Sequence, residues 1–216
     1  MPIQGVIFDV DGVLVDTIPL HYRAWKRMLT ERGFEFDQHV YRQRVDGKNR
    51  AEGVRSVMVD ATDEEIEAAG AQKQAYYLQE LESTNLEPYS DAKEFLAAVE
   101  NAGLHLAAAS GSANAPRVLE RIGILDRFQA VVTGAEISSG KPDPEIFLTA
   151  ADLLGLPSSR CVVFEDSEAG ITAAKKGAFL SVGVAREGNS AFLREADLVV
   201  SSLNEITIDQ LEGLIR

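Results

Sequence analysis

The chain has 216 residues, 45% hydrophobic and 25% charged, the balance of a soluble globular protein long enough for one generous core, or a core plus a small second domain. Its formal net charge of −13 opposes nucleic acid and anionic membranes, which need basic patches, so neither partner is expected. No apolar run approaches the length that spans a bilayer, and the N-terminus lacks a basic region followed by a hydrophobic signal core, so a cytosolic location is expected.

Gly5-Val6-Ile7 reads as a short buried strand, and Asp9 and Asp11 emerge at its carboxyl end, where Gly12 begins a loop. In open α/β sheets ligands bind beyond the carboxyl ends of the strands, so chemistry is expected there. Two carboxylates so close need a cation, a shared proton or hydrogen bonds to stay ionised, and magnesium is the simplest answer. Leu20 to Arg32 carries Leu20, Trp25, Met28 and Leu29 at helical spacing and stops at Gly33. Asp37 can cap a short helix through Arg44, and a turn at Asp46-Gly47 leads to a helix near Arg50 to Met58. Thr62 and Glu65 form a capping box for a helix running to about Leu81.

From Asn85 onward helices and strands alternate. Asp91 opens a helix that Gly103 ends, and strands are predicted at Leu104–Ala109, Ala130–Val132, Cys161–Phe164, Phe179–Val184 and Leu198–Val200. Between them, Asn114 with Pro116, Pro144 to Leu154, and Ser167 to Lys176 carry helix signals. Such alternation implies right-handed crossovers and a mainly parallel sheet covered on both faces, a Rossmann-like α/β core. The all-helical block is then an insertion after the first strand, which divides the chain into a core (1–15 and 86–216) and a cap (16–85). Two linkers at one edge of a site make a hinge, so the cap is expected to close over substrate. The lone Cys161 is expected to be a buried, inert thiol, and the protein a monomer.

Asp9-Val10-Asp11-Gly12-Val13 with Asp16-Thr17, then Ser110-Gly111-Ser112, Lys141-Pro142-Asp143 and Glu165-Asp166-Ser167, resemble in order and spacing the motif set of the haloacid dehalogenase superfamily. Within it, Asp16 to Lys26 is similar to the β-phosphoglucomutase and sugar-phosphatase branch. The resemblance implies a magnesium-dependent enzyme in which Asp9 attacks phosphorus to form an acyl-phosphate and Asp11 is the general acid and base. Spacing alone does not tell the two apart, and either acid could instead cap a turn. The resemblance also gives a metal set of Asp9, Asp166 and the Asp11 carbonyl, with Glu165 either a ligand or the partner of one. Glu165-Asp166 has a plainer reading as a helix cap. Ser110 and the Gly111 and Ser112 turn would donate to phosphoryl oxygens, and Lys141 would offset their charge. Lys141 would otherwise be an ordinary surface cation, and serine-glycine turns are common.

In the cap, His21 and Trp25 share a helix face and read either as core residues or as contacts to the catalytic loop and substrate. Gly47-Lys48-Asn49-Arg50 matches the family's cap turn, which implies that Arg50 binds a distal phosphate. Asp46 stands where the best-known mutases have lysine, and Asn49 where they have a small hydroxyl residue. Both differences weigh against tight binding of a bisphosphate. Lys73 and Tyr77 resemble a further cap pair. The expectation is phosphoryl transfer on a small phosphorylated sugar, leaning to hydrolysis, with a β-phosphoglucomutase-type isomerase as the alternative and a non-catalytic sugar-phosphate binder as the remote one. Retention of Asp11 argues against a true dehalogenase, because a departing halide needs no proton.

Overall fold

The computed structural model describes residues 2–186 and 190–214. Six parallel strands form one sheet: β1 (Gly5–Phe8), β2 (His105–Ser110), β3 (Ala130–Thr133), β4 (Cys161–Glu165), β5 (Leu180–Val184) and β6 (Leu198–Val200), in the order β3-β2-β1-β4-β5-β6. The chain winds outward from β1 through β2 to β3, then crosses back to build β4, β5 and β6 on the other side. That reversal puts the crevice of an α/β sheet at the carboxyl ends of β1, β2 and β4. The register pairs Phe8 with both Ala108 and Phe164, so β4 runs one residue and β2 two residues past the end of β1.

Alternate strand residues feed two cores. Val6, Phe8, Leu106, Ala108, Val162 and Phe164 join one face, while Ile7, Ala107, Ala109, Cys161 and Val163 join the other. Cys161 is fully buried, and burial pushes its thiol up to about 11, which leaves it unreactive.

Helices α1 (Ile18–Thr30), α2 (Gln38–Val40), α3 (Arg50–Val57) and α4 (Asp63–Ser83) lie between β1 and β2 and enclose a third cluster around Trp25, Met28, Leu29, Tyr41, Val54 and Ile66. α4 starts on the complete Thr62–Glu65 capping box. Asp37 caps α2, but the expected helix through Arg44 widens into a π-helical turn at Tyr41–Val45, closed by the Asp46 amide on the Tyr41 carbonyl. The remaining helices are α5 (Ser90–Asn101), α6 (Ala115–Arg121), α7 (Glu145–Leu153), α8 (Glu168–Lys176) and α9 (Ile208–Leu214).

Two predicted strand starts, Leu104 and Phe179, fall one residue early because their amides still close the preceding helices, on Val99 and Ala174 carbonyls at 3.2 and 3.0 Å. Asp91 does not cap α5; its carboxylate accepts from Arg186, Ser202 and the Leu203 amide instead. Among the described residues no helix is long and apolar enough to cross a membrane.

Candidate active site

Asp9 follows β1 directly, and its amide continues the ladder to the Phe164 carbonyl at 2.9 Å. Lys141 comes from the loop between β3 and α7, where a cis peptide joins it to Pro142. Its ammonium is 1% exposed and donates at 2.5 Å to both Asp9 Oδ1 and Glu165 Oε1. Burial works against that charge, but the two carboxylates outweigh it and keep Lys141 protonated well above its ordinary range. Burial pushes the Asp9 carboxyl up; Lys141 opposes this, while Glu165 and Asp11 add to it.

Glu165 engages its other oxygen with the Ser167 amide and hydroxyl at 2.7 and 2.9 Å. Its two oxygens thus orient Lys141 and the loop that begins α8. The helix-capping role falls to Ser167, whose hydroxyl accepts from the Gly170 amide at the start of α8.

Asp11 sits in a separate network. Thr17 Oγ1 donates to Oδ1, Ser110 Oγ donates to Oδ2 at 2.8 Å, and His21 Nε2 lies 3.3 Å from Oδ1. Burial raises the Asp11 carboxyl, but His21, Thr17 and Ser110 together hold it well below the ordinary carboxylate range. Ser110 therefore faces Asp11 and also accepts from the Ser112 amide at 3.0 Å, instead of leaving its hydroxyl open to a phosphoryl group. Thr17 had a legible signal, since it completes the Asp16-Thr17 motif.

Lys73 Nζ lies 2.9 Å from His21 Nδ1, and Tyr77 stacks on the imidazole at 4.2 Å. With Nδ1 accepting from the lysine, Nε2 carries the proton that faces Asp11. Trp25 packs in the helical cluster with Lys73 Nζ 5.2 Å above its ring, so it serves as core and as one wall of the cavity.

Burial lowers the Lys73 pKa to about 7, against Asp11 and with help from Arg50. Its ordinary value is 10.5, so between these limits the unfolded chain holds more protons and stability rises with pH. Lys73→Met should remove that rise, a difference on the order of a few kcal/mol between pH 7 and pH 10 in chemical denaturation. Equal pH dependence in both proteins would contradict the buried, depressed lysine.

A cavity of about 420 Å³ lies between the sheet edge and the helical block, lined by Asp9, Asp11, Asp166 and Ser112 from one side and by Arg50 and Lys73 from the other. The block touches the sheet edge directly. Glu52 Oε1 accepts from the Gly140 amide at 3.0 Å, and the amides of Gln74 and Asn114 exchange hydrogen bonds at 2.6 and 3.0 Å. Gly47 turns the chain at φ +74°, and a side chain there would meet Ser167 Oγ at 2.6 Å; one at Gly111 would meet the Gly47 carbonyl at 3.0 Å. The positive φ and the close contact call for glycine at position 47, and a side chain at position 111 would crowd the Gly47 carbonyl. Arg50 donates to Gln74 at 2.8 Å beside the cavity.

The two departures in the cap turn have local structural roles. Asn49 caps α3 by accepting from the Glu52 amide at 3.0 Å, a service that a small hydroxyl residue also performs. Arg42 holds Asp46 at 2.8 Å and reaches to 3.7 Å from Asp166. Arg42, missed in the sequence, was legible only as an i, i+4 partner of Asp46.

Burial pushes the Asp166 carboxyl up, and Asp46, Glu165 and Asp9 add to this against Arg42. Asp9, Asp46, Glu165 and Asp166 thus crowd around two cations, Lys141 and Arg42, a charge deficit that a divalent ion would relieve. Among the described residues no three acidic, histidine or cysteine side chains form a ready-made metal cluster. Two carboxylates, Asp9 and Asp166, with the Asp11 carbonyl suit magnesium, which keeps waters and substrate oxygens in its remaining positions.

The chain is similar to known proteins over most of its length. The family model of haloacid dehalogenase-like hydrolases matches residues 3–177. β-Phosphoglucomutase of Bacillus subtilis (strain 168) is 33% identical over 217 residues, covering 96% of this chain and 93% of the relative. Hexitol phosphatase A of Escherichia coli (strain K12) is 29% identical over 209 residues, covering 96% and 95%. The crystal structure of β-phosphoglucomutase from Clostridium difficile superposes with a TM-score of 0.90 at 29% identity, covering 99% of this chain and 97% of that one. Six parallel strands, four motifs at their carboxyl ends and a match over most of the length lead to one assignment: the chain belongs to the haloacid dehalogenase-like hydrolase family.

Proposed function

We propose that this protein transfers a phosphoryl group from a small phosphorylated sugar to Asp9, with magnesium, and releases it to water. The observation that carries the reading is the buried Asp9–Lys141 contact of 2.5 Å at the carboxyl end of β1, which holds Asp9 in the wall of a cavity of about 420 Å³, the size of a small-ligand site. Lys141 fixes one Asp9 oxygen and leaves the other to attack in line. Asp9, Asp166 and the Asp11 carbonyl would hold the ion, which when bound neutralises phosphoryl charge.

The Asp11 network favours the ionised carboxylate, ready to take a proton from the group that attacks the aspartyl-phosphate. Protonation of the leaving oxygen in the first step falls to the same side chain only after it has taken up a proton, which happens when substrate displaces part of that network and a proton from solvent or from the substrate's phosphate monoanion is bound before the cavity closes. The helical block over the cavity serves in this reading as a cap that excludes bulk water.

Transfer to a second hydroxyl of the sugar, the mutase outcome, is favoured by Arg50, whose guanidinium lines the cavity from the cap and could hold a distal phosphate. Arg42 offsets the charge of Asp46 and Asn49 caps α3, so neither departure stands against it. Purified protein given magnesium, β-glucose 1-phosphate and a trace of glucose 1,6-bisphosphate, followed by phosphorus resonance, decides between the two. Inorganic phosphate alone is expected from hydrolysis, and glucose 6-phosphate without phosphate from the mutase. Tight binding of sugar phosphates without turnover of any would leave only a binding protein.

A further inference from the structure

Arg186 lies two residues beyond β5 and outside the cavity lining, yet its side chain, 14% exposed, is committed to the catalytic loop. Nε donates to the Gly12 carbonyl at 3.1 Å and Nη2 to the Val13 carbonyl at 2.7 Å. Nη1 donates to Asp91 Oδ2 at 2.9 Å, and the guanidinium lies 3.7 Å over the Tyr89 ring. Asp91 is oriented in turn by Ser202 Oγ at 2.7 Å and the Leu203 amide at 2.9 Å.

These partners belong to the two segments that join the helical block to the sheet. The outgoing segment carries Gly12 and Val13; the returning one carries Tyr89 and leads into Asp91 on α5. Backbone contacts tie them together: the Gly12 amide donates to the Val15 carbonyl and the Tyr89 amide to the Leu14 carbonyl, both at 2.9 Å, and Val15 bridges Asp11 and Pro88. One planar fork of donors therefore spans both linkers. A lysine, with a single nitrogen, cannot reach two carbonyls and a carboxylate while stacking on an aromatic ring.

We propose that Arg186 is a positioning residue of the hinge: it clamps the outgoing linker to the returning one, and so fixes Asp11, the residue before Gly12, for proton transfer. The proposal rests on the role of Asp11 in phosphoryl transfer given above. The clamp gives the cap a fixed pivot, so that motion of the helical block leaves the Asp9–Asp11 loop in place against the sheet.

The test combines amide hydrogen exchange at Gly12 and Tyr89 with steady-state phosphate release from hexose phosphates in the presence of magnesium, for wild type, Arg186→Met and Arg186→Lys. Arg186→Met is expected to lose protection at both amides. Its kcat should fall about 10- to 100-fold while KM stays within about threefold, since a displacement of about 1 Å in a catalytic loop costs that much. Arg186→Lys should recover part of both.

Folded Arg186→Met with unchanged protection or unchanged kcat overturns the proposal. Should Arg186→Met fail to fold, Asp91→Asn, which keeps the two carbonyl contacts and removes the orienting charge, should shift both readouts the same way by less. Wild-type behaviour in Asp91→Asn then overturns it. A wild type without turnover on any sugar phosphate sinks the functional reading, whereas an active wild type with an equally active Arg186→Met sinks the positioning role alone.

Discussion

Asp9→Asn is expected to lower phosphate release from sugar phosphates by about 10⁴-fold or more, because removing the nucleophile of a covalent mechanism leaves only binding and electrostatics. The substitution keeps the shape of a side chain that is 5% exposed and whose Oδ1 lies 2.5 Å from Lys141, so the fold should tolerate it. Magnesium binding, followed by calorimetry, should persist in part, since Asp166 and the Asp11 carbonyl remain. Trapping with labelled sugar phosphate and acid quenching should give a phosphoprotein in the wild type and none in the variant. Unchanged turnover would remove Asp9 from the nucleophile role.

Lys141→Met is expected to damage stability and rate together. The ammonium is fully buried between Asp9 and Glu165, and its removal leaves two carboxylates facing each other without a cation. Breaking a buried ion pair by deleting one partner costs about 3–5 kcal/mol. Chemical denaturation without metal should show that loss as a lower midpoint. Saturating magnesium should restore part of it by linkage if the ion binds Asp9. Phosphate release should fall by about 10²- to 10³-fold even with metal present, the usual effect of removing one donor from a charge-stabilising site. An unfolding free energy within about 1 kcal/mol of wild type would mean that the carboxylates find other partners, contrary to the geometry around Lys141.

The strands were legible because they are short apolar runs with turn residues at both ends, and the helices of the cap region because Thr62–Glu65, Asp37 and Gly33 mark their limits. The misplaced starts at Leu104 and Phe179 share one cause. Apolar residues after a helix can serve as its last turn or as the first strand residue, and the hydrophobic pattern is the same in both cases. Ser110 was expected to face a phosphoryl group, and its partner Asp11 was not legible, because a hydroxyl at the end of β2 can face a ligand or the carboxylate of the loop that follows a neighbouring strand. Arg186 carried no motif at all. Its partners lie more than 90 positions away and are mostly main-chain carbonyls, which sequence patterns do not mark.

The sequence by itself determined the α/β alternation and the motif order, because those depend on residue type and local spacing; the roles of Asp9, Asp11, Lys141 and Asp166 were expected from the resemblance that the motifs carry. Which oxygen faces which proton was decided by tertiary structure. The parallel ladder sets the carboxyl ends of β1, β2 and β4 side by side and so assembles groups up to 157 positions apart, from Asp9 to Asp166. Burial there makes each carboxylate depend on a particular neighbour: Glu165 on Lys141 and Ser167, Asp11 on Thr17, Ser110 and His21, and Asp46 on Arg42. In water such pairings are interchangeable; in a low-dielectric crevice the geometry selects one of them.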